Sequence, residues 1–146
     1  MTKGIFERIL VGYDGSENGA RALRKGIELA KQSRGELRIV VVADTVAYEA
    51  YGSGGMYKTY NAQAKTNAAS LASAALETAK AAGVADSYAS GEEGQPADLI
   101  LTLATEYKSD LIVVGRRGMR GLVRFLMGSV STAVINHAKC DVLIVK

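Results

Sequence analysis

The sequence predicts a doubly wound α/β fold: a five-stranded parallel sheet with helices on both faces. Three observations carry that prediction. Short runs rich in β-branched residues and without alternation, such as Leu37-Arg-Ile-Val-Val-Val-Ala43 and Asp110-Leu-Ile-Val-Val-Gly115, read as strands buried on both faces. Stretches with apolar residues at helical spacing separate such runs, so that strand and helix alternate four times before a final strand. The 146 residues, 48% hydrophobic and 23% charged, fit one domain spanning 1–146 that is large enough to bury a substantial core.

The first strand is Ile9-Leu-Val-Gly12, with Ile5 and Phe6 ahead of it, and it breaks at Gly12-Tyr-Asp-Gly15. Ser16 suits the N-cap of the first helix, whose apolar stripe is Ala20, Leu23, Ile27 and Ala30 before Gly35 stops it. After the second strand, residues 44–58 fit neither period; with Tyr48, Tyr51, Gly52, Gly54, Gly55 and Tyr57 they read as a loop or lid. An alanine-rich helix is expected from Thr59 to Ala82, with Ala68, Leu71, Ala72, Ala75, Leu76 and Ala79 on one side, small enough for close packing. Gly83 ends it and Val84 to Ser90 is a weak strand. Pro96 then opens a third helix at the N1 position, with Ala97, Ile100, Leu101 and Ala104 inward. The fourth strand is Asp110–Gly115, the fourth helix carries Val130, Ala133, Val134, His137 and Ala138 on one face, and Asp141–Lys146 is the last strand.

Composition narrows the function classes. No apolar run approaches the ~20 residues of a membrane span, and the N-terminus lacks the apolar core of a secretory signal, so a soluble, cytoplasmic protein is expected. Cys140 is the single cysteine, which excludes an internal disulfide and a cysteine-rich metal site, and it reads as a small core residue. The net charge of +3 is mild. No Gly-x₄-Gly-Lys-Ser/Thr is present and no Gly-x-Gly-x-x-Gly follows the first strand, so the P-loop and dinucleotide-dehydrogenase readings fail.

The segment best suited to hold a phosphate is Gly115-Arg-Arg-Gly118, nine residues, then Gly128-Ser129. It leaves the carboxyl end of a strand and enters a helix N-terminus, where unpaired N–H groups and the macrodipole favour an anion. Glycines at 115, 118 and 128 are expected to allow positive φ and a close approach of phosphate oxygens. Ser129, Ser131 and Thr132 add hydroxyls, and Arg116, Arg117, Arg120 and Arg124 make the loop cationic. In a doubly wound sheet, ligands bind at the carboxyl ends of the strands that flank the reversal of strand order. If strands one and four flank it, Gly12–Gly15 faces Gly115–Ser129, and Asp14 lies where it could meet ribose hydroxyls or a phosphate-bound Mg²⁺. Asp14 could instead cap the first turn or helix, but a ligand role is favoured because the expected crevice lies beside it. His137 lies on the inner stripe with no acid or nucleophile to pair with and reads as structural. Nucleic-acid contact through the arginines is disfavoured because no aromatic platform accompanies them.

The arrangement resembles the universal stress protein family over essentially the whole chain. The ATP-binding members of that family carry Gly, two residues, Gly, nine residues, Gly and then Ser or Thr, the spacing of Gly115, Gly118, Gly128 and Ser129. Ile9-Leu-Val-Gly-Tyr-Asp-Gly-Ser16, Gly128-Ser-Val-Ser-Thr-Ala-Val134 and His137-Ala-Lys-Cys-Asp-Val-Leu-Ile-Val145 add to the likeness. The resemblance implies an adenine-nucleotide alpha-hydrolase-like sheet of order 3-2-1-4-5. It implies that Gly12, Tyr13 and Asp14 border the adenosine and that Ala43 offers backbone groups to adenine. Gly115, Arg117, Gly118, Gly128, Ser129, Val130 and Ser131 would hold ribose and phosphates. It further implies a homodimer, often made through the last strand, here the apolar edge 142–145. One departure is Ala138-Lys-Cys-Asp141, where members often have Ala-Pro-Cys-Pro; it bears on the entry of the last strand, not on nucleotide binding.

The expected function is therefore an ATP-binding regulatory switch, with Mg²⁺ held by the phosphates and Asp14, which changes the surface that a protein partner reads. A slow Mg²⁺-dependent ATPase or nucleotidyl transferase is the enzymatic alternative, disfavoured because no base or water-orienting residue is evident. A nucleotide-free interaction scaffold is the third reading, and the retained glycine spacing argues against it.

Overall fold

The computed structural model describes residues 4–44, 55–117 and 127–146, and of 55–61 the backbone alone. The strands are β1 (Arg8–Gly12), β2 (Glu36–Asp44), β3 (Ser87–Gly94), β4 (Leu111–Gly115) and β5 (Asp141–Val145). Between them lie α1 (Glu17–Ser33), α2 (Gly55–Ala81), α3 (Pro96–Glu106) and α4 (Ser129–His137). All four strand pairs are parallel and the order is β3-β2-β1-β4-β5, as the resemblance implied.

Parallel strands joined by crossover helices must be covered on both faces, and the core divides accordingly. Ile9 and Val11 of β1 and Leu111 and Val113 of β4 pack with Leu23 and Ile27 of α1 and with Ala75 and Ala79 of α2. On the other face Leu10, Ile112 and Val114 meet Ile100 and Leu103 of α3 and Val134 of α4. The chain's apolar, β-branched strand runs are thus consumed alternately by two helix layers.

Helix α1 starts where the sequence places it, with the Gly19 N–H donating to the Ser16 Oγ at 3.0 Å. At its other end the left-handed residue is Arg34 (φ 53°), one position before Gly35. Its buried face is Gly19, Ala22, Leu23, Gly26, Ile27 and Ala30, while Ala20 is only half-buried. Hydropathy missed the two glycines, which contribute no side chain yet let the helix lie against the sheet. A Cβ on Gly26 would stand 2.3 Å from Val11 Cγ2, and Val11 is completely buried. Alanines do the same for α2, where Ala68, Ala72, Ala75 and Ala79 form the buried line.

Three boundaries differ from expectation. Of the expected loop 44–58, Asp44 ends β2, residues 45–54 lie outside the described residues, and α2 begins at Gly55. Strand β3 is displaced to 87–94: Gly83 turns the chain with φ 101°, Val84 drops into the core, and pairing with β2 carries Gly91-Glu-Glu-Gly94, which reads locally as loop, into the sheet. Helix α4 is rotated from its expected stripe. Ser131 and Val134 are its buried residues, Val130 and Ala138 pack partly, and His137 is exposed, not structural core. Among the described residues no helix is long and apolar enough to cross a membrane.

Replacing Gly26 by alanine gains roughly 1 kcal/mol of helix propensity but forces a methyl into Val11, an overpacking cost of about 1–3 kcal/mol. We expect Gly26→Ala to lower the urea unfolding midpoint, and the double variant Gly26→Ala, Val11→Ala to recover part of the loss. A midpoint raised by Gly26→Ala alone would show that the helix does not lie this close.

Candidate functional site

The two central strands part company at their carboxyl ends. The β1–β4 ladder ends at Val11–Val113, whereas β4 continues beside β5 to the Gly115–Val145 pair. On the other side the β1–β2 ladder ends at Gly12–Val40 and is prolonged by the Tyr13 N–H, which donates to the Val40 carbonyl at 2.9 Å. Strand β2 runs on to Asp44 beside β3, with Ala43 opposite Glu93. A crevice therefore opens beyond Gly12 and Val113 at the point where the strand order reverses, the place where open α/β sheets take ligands.

All four helices start at this end of the sheet; the two that follow the strands flanking the crevice, α1 and α4, are finished differently. At α1 the turn caps itself. Asp14 Oδ1 accepts from the Ser16 N–H at 2.9 Å and from the Ser16 hydroxyl at 2.5 Å, and the Ser16 Oγ accepts from the Gly19 N–H. The negative charge that a helix start favours is already supplied by the chain. At α4 the N-cap is Gly128, and no side chain caps the helix. The first-turn N–H groups there, which have no partner within the helix, stand beside the peptide of Arg116. Of the two ends, that of α4 is left without a side-chain cap.

The loop ends are pinned by three elements. The Arg116 N–H donates to the Val145 carbonyl and the Gly128 N–H to the Arg116 carbonyl, both at 2.8 Å. Ser131, 2% exposed, turns its hydroxyl inward to within 2.9 Å of the Arg116 carbonyl and 3.0 Å of the Gly128 carbonyl. Ser129 is exposed, and Val130, Arg116 and Arg117 are half-buried. Gly118, Arg120 and Arg124 lie outside the described residues.

The fold thus brings Gly12, Tyr13 and Asp14 to one side of the crevice and Gly115, Arg117, Gly128, Ser129 and Val130 to the other. Tyr13 is half-buried against the core and Ala43 keeps its side chain there, so both reach the crevice chiefly through backbone. Positive φ is not the reason at Gly115 or Gly128: the described glycines with positive φ are Gly15, Gly83 and Gly94, and Gly128 has φ −65°. Close approach is the reason at Gly115, where a Cβ would stand 2.8 Å from the Asn18 carbonyl carbon and 2.9 Å from its oxygen. That seat on Asn18 and the anchor at Val145 had no signal in the sequence.

Among the described residues, the two groups with displaced proton affinity lie at the opposite, amino end of the sheet. Burial, then the charges of Asp141 and Asp110, push the Cys140 thiol up, consistent with a half-buried, unreactive cysteine. A hydrogen bond to Asp86, then that residue's charge, raises Tyr88. A cavity of about 310 Å³ also opens at that end, where α3 and α4 diverge, lined by Leu101, Thr105, Ile112, His137 and Cys140 among others.

Gly115→Ala should cost about 1–3 kcal/mol of stability, because backbone rather than a yielding side-chain tip opposes the methyl. Urea denaturation of the variant beside wild type measures it, and an unchanged midpoint would contradict the contact with Asn18.

The family description that matches residues 5–146 is the universal stress protein family. A Staphylococcus haemolyticus protein bearing that family's name is 35% identical over 146 residues, covering 97% of this chain and 85% of its own. Among solved structures, universal stress protein UspA from Lactobacillus plantarum has a TM-score of 0.83 at 21% identity with both chains covered in full, a likeness of fold. A universal stress protein in complex with cAMP has a TM-score of 0.70 at 31% identity over 96% of each chain. With its strand order, its divided crevice and these likenesses across nearly its whole length, the chain belongs to the universal stress protein family.

Proposed function

We propose that this protein is a nucleotide-dependent regulatory switch that seats an adenine nucleotide, ATP foremost, in the crevice between β1 and β4. The observation that carries the reading is the asymmetry of the two helix starts: α1 is closed by its own Asp14 and Ser16, while α4 begins without a side-chain cap beside the Arg116 peptide. An anion is drawn to the second, which orients the ligand with its phosphates on Gly128–Ser129 and its nucleoside toward Gly12–Asp14 and Ala43. The cAMP complex of a relative 31% identical supports an adenine nucleotide as the ligand class.

Asp14 has less to give a metal than its sequence position suggests. Its Oδ1 is engaged by Ser16, and among the described residues no group of three His, Cys, Asp or Glu side chains could hold a metal ion. A Mg²⁺ accompanying ATP would therefore be carried mainly by the phosphates, with Asp14 as turn former first. The switch works only if the nucleotide binds one arrangement of the crevice better than another, since equal affinity shifts no population.

Calorimetric titration of ATP, AMP, cAMP and adenosine, with and without Mg²⁺, tests this. We expect ATP to bind wild type and Gly128→Val to lose at least tenfold in affinity while losing only about 1 kcal/mol of stability, because φ −65° accommodates valine and the new side chain stands at the anion's approach. Wild type that binds none of them would sink the reading.

The same proposal includes a homodimer built on β5, an edge strand whose residues Val142–Val145 are half-exposed, with Ile135 of α4 43% exposed. Edge pairing would cover the open backbone groups of β5. Sedimentation equilibrium should give twice the 15.4 kDa chain mass. A monomer at micromolar concentration removes the dimer from the proposal.

A further inference from the structure

We infer that Ser131 is a positioning residue of the anion site: its inward hydroxyl clamps the residues bounding the 117–127 segment to the exit of β4 and thereby presents the first-turn N–H groups of α4, without touching the ligand. The inference rests on the reading of this crevice as a phosphate site and assigns Ser131 a role different from direct contact.

The first argument is burial. Ser131 occupies the most inward line of α4 beside Val134, where an apolar residue would serve packing better, yet it carries a hydroxyl that is 2% exposed. A buried hydroxyl persists where it is hydrogen-bonded, and this one has two carbonyls in reach. The nearer to it in sequence, Gly128, is three residues back, a bond that serine commonly makes inside helices. The other, Arg116, is fifteen residues away and belongs to the strand exit. Only this second bond ties the helix to the sheet.

The second argument is convergence on a single peptide. The Arg116 N–H donates to Val145 at the end of β5, and its carbonyl faces both the Gly128 N–H and the Ser131 hydroxyl. That peptide joins the edge strand, the end of the loop and the first turn of α4. Without the hydroxyl, the helix start keeps one bond to it in place of two, and the angle at which its N–H groups meet an anion is less constrained.

The third argument makes the role separable from folding. Both carbonyls have another donor: Gly128 N–H for Arg116, and Thr132 N–H, at 3.0 Å, for Gly128. Removing the hydroxyl orphans no buried acceptor, so Ser131→Ala should fold.

The experiment compares wild type with Ser131→Ala in two measurements. In the nucleotide-free protein, amide hydrogen exchange of Gly128 should quicken about five- to tenfold, the factor that one hydrogen bond supplies. In calorimetric titrations, ATP and AMP should weaken by a similar factor while adenosine, which has no phosphate, keeps its affinity. Unchanged exchange at Gly128 overturns the clamp, since a direct ligand contact has no effect before ligand is added. Equal weakening for adenosine also overturns it, because a general loosening of the fold does not discriminate between ligands. If wild type binds none of the three, the nucleotide reading fails, and the exchange rates alone decide whether the clamp exists.

Discussion

The geometry of the crevice depends on how closely α1 lies against the two central strands. Side chains are absent on both sides of that contact at the points of closest approach. Gly26 admits Val11 of β1, Gly115 at the end of β4 rests on the backbone of Asn18, and Gly19 leaves room for the Asp14 carboxylate, whose Oδ1 stands 2.5 Å from where a Cβ would be. Near the start of α1, Ser16 and Asp14 use that proximity to close the helix. Were the helix a methyl's width further out, the β1 turn, the self-capping carboxylate and the floor under Gly115 would all move.

That arrangement sorts charge between two helix ends that would otherwise compete for one anion. In the proposed binding mode the chain's own carboxylate takes the start of α1 and leaves the start of α4, beside the Arg116 peptide, to the anion, so a ligand with a charged end and an uncharged end would have one favourable orientation. On that reading Asp14 would serve specificity by repelling phosphate from the wrong helix rather than as one ligand of a metal.

Strands β1, β2 and β4 were legible because each is an apolar, β-branched run buried on both faces, so burial and hydropathy report the same residues; β5, half-exposed at the edge, was legible from its Val142–Val145 run alone. Strand β3 was the exception: Gly91-Glu-Glu-Gly94 belongs to it through pairing with β2, a long-range fact that no local window holds. At the crevice, spacing singled out Gly115 and Gly128 as positions of positive φ, whereas Gly128 has φ −65° and Gly115 is required by its approach to Asn18. Spacing marks where side chains are missing and is silent on whether conformation or proximity requires it. Ser131 was placed among ligand contacts by position in a motif, whereas its burial is set by the rotation of α4, and a helical stripe drawn through apolar residues alone put His137 inside and Ser131 outside. Asn18 and Val145 act through backbone atoms, to which residue identity is no guide.

Helix α4 is nine residues long and buries a single aliphatic side chain completely, Val134. Much of what holds it is directional bonding at its first turn, through Gly128 and Ser131 to the Arg116 carbonyl, rather than apolar area, which makes it a unit able to open on its own while the five-stranded sheet stays folded. A ligand gripping its first turn would stabilise that local opening equilibrium first and global unfolding much less. Heat-melting shifts would then understate binding at this site, and residue-resolved exchange or protease protection within 127–138 would register occupancy that a melting curve passes over.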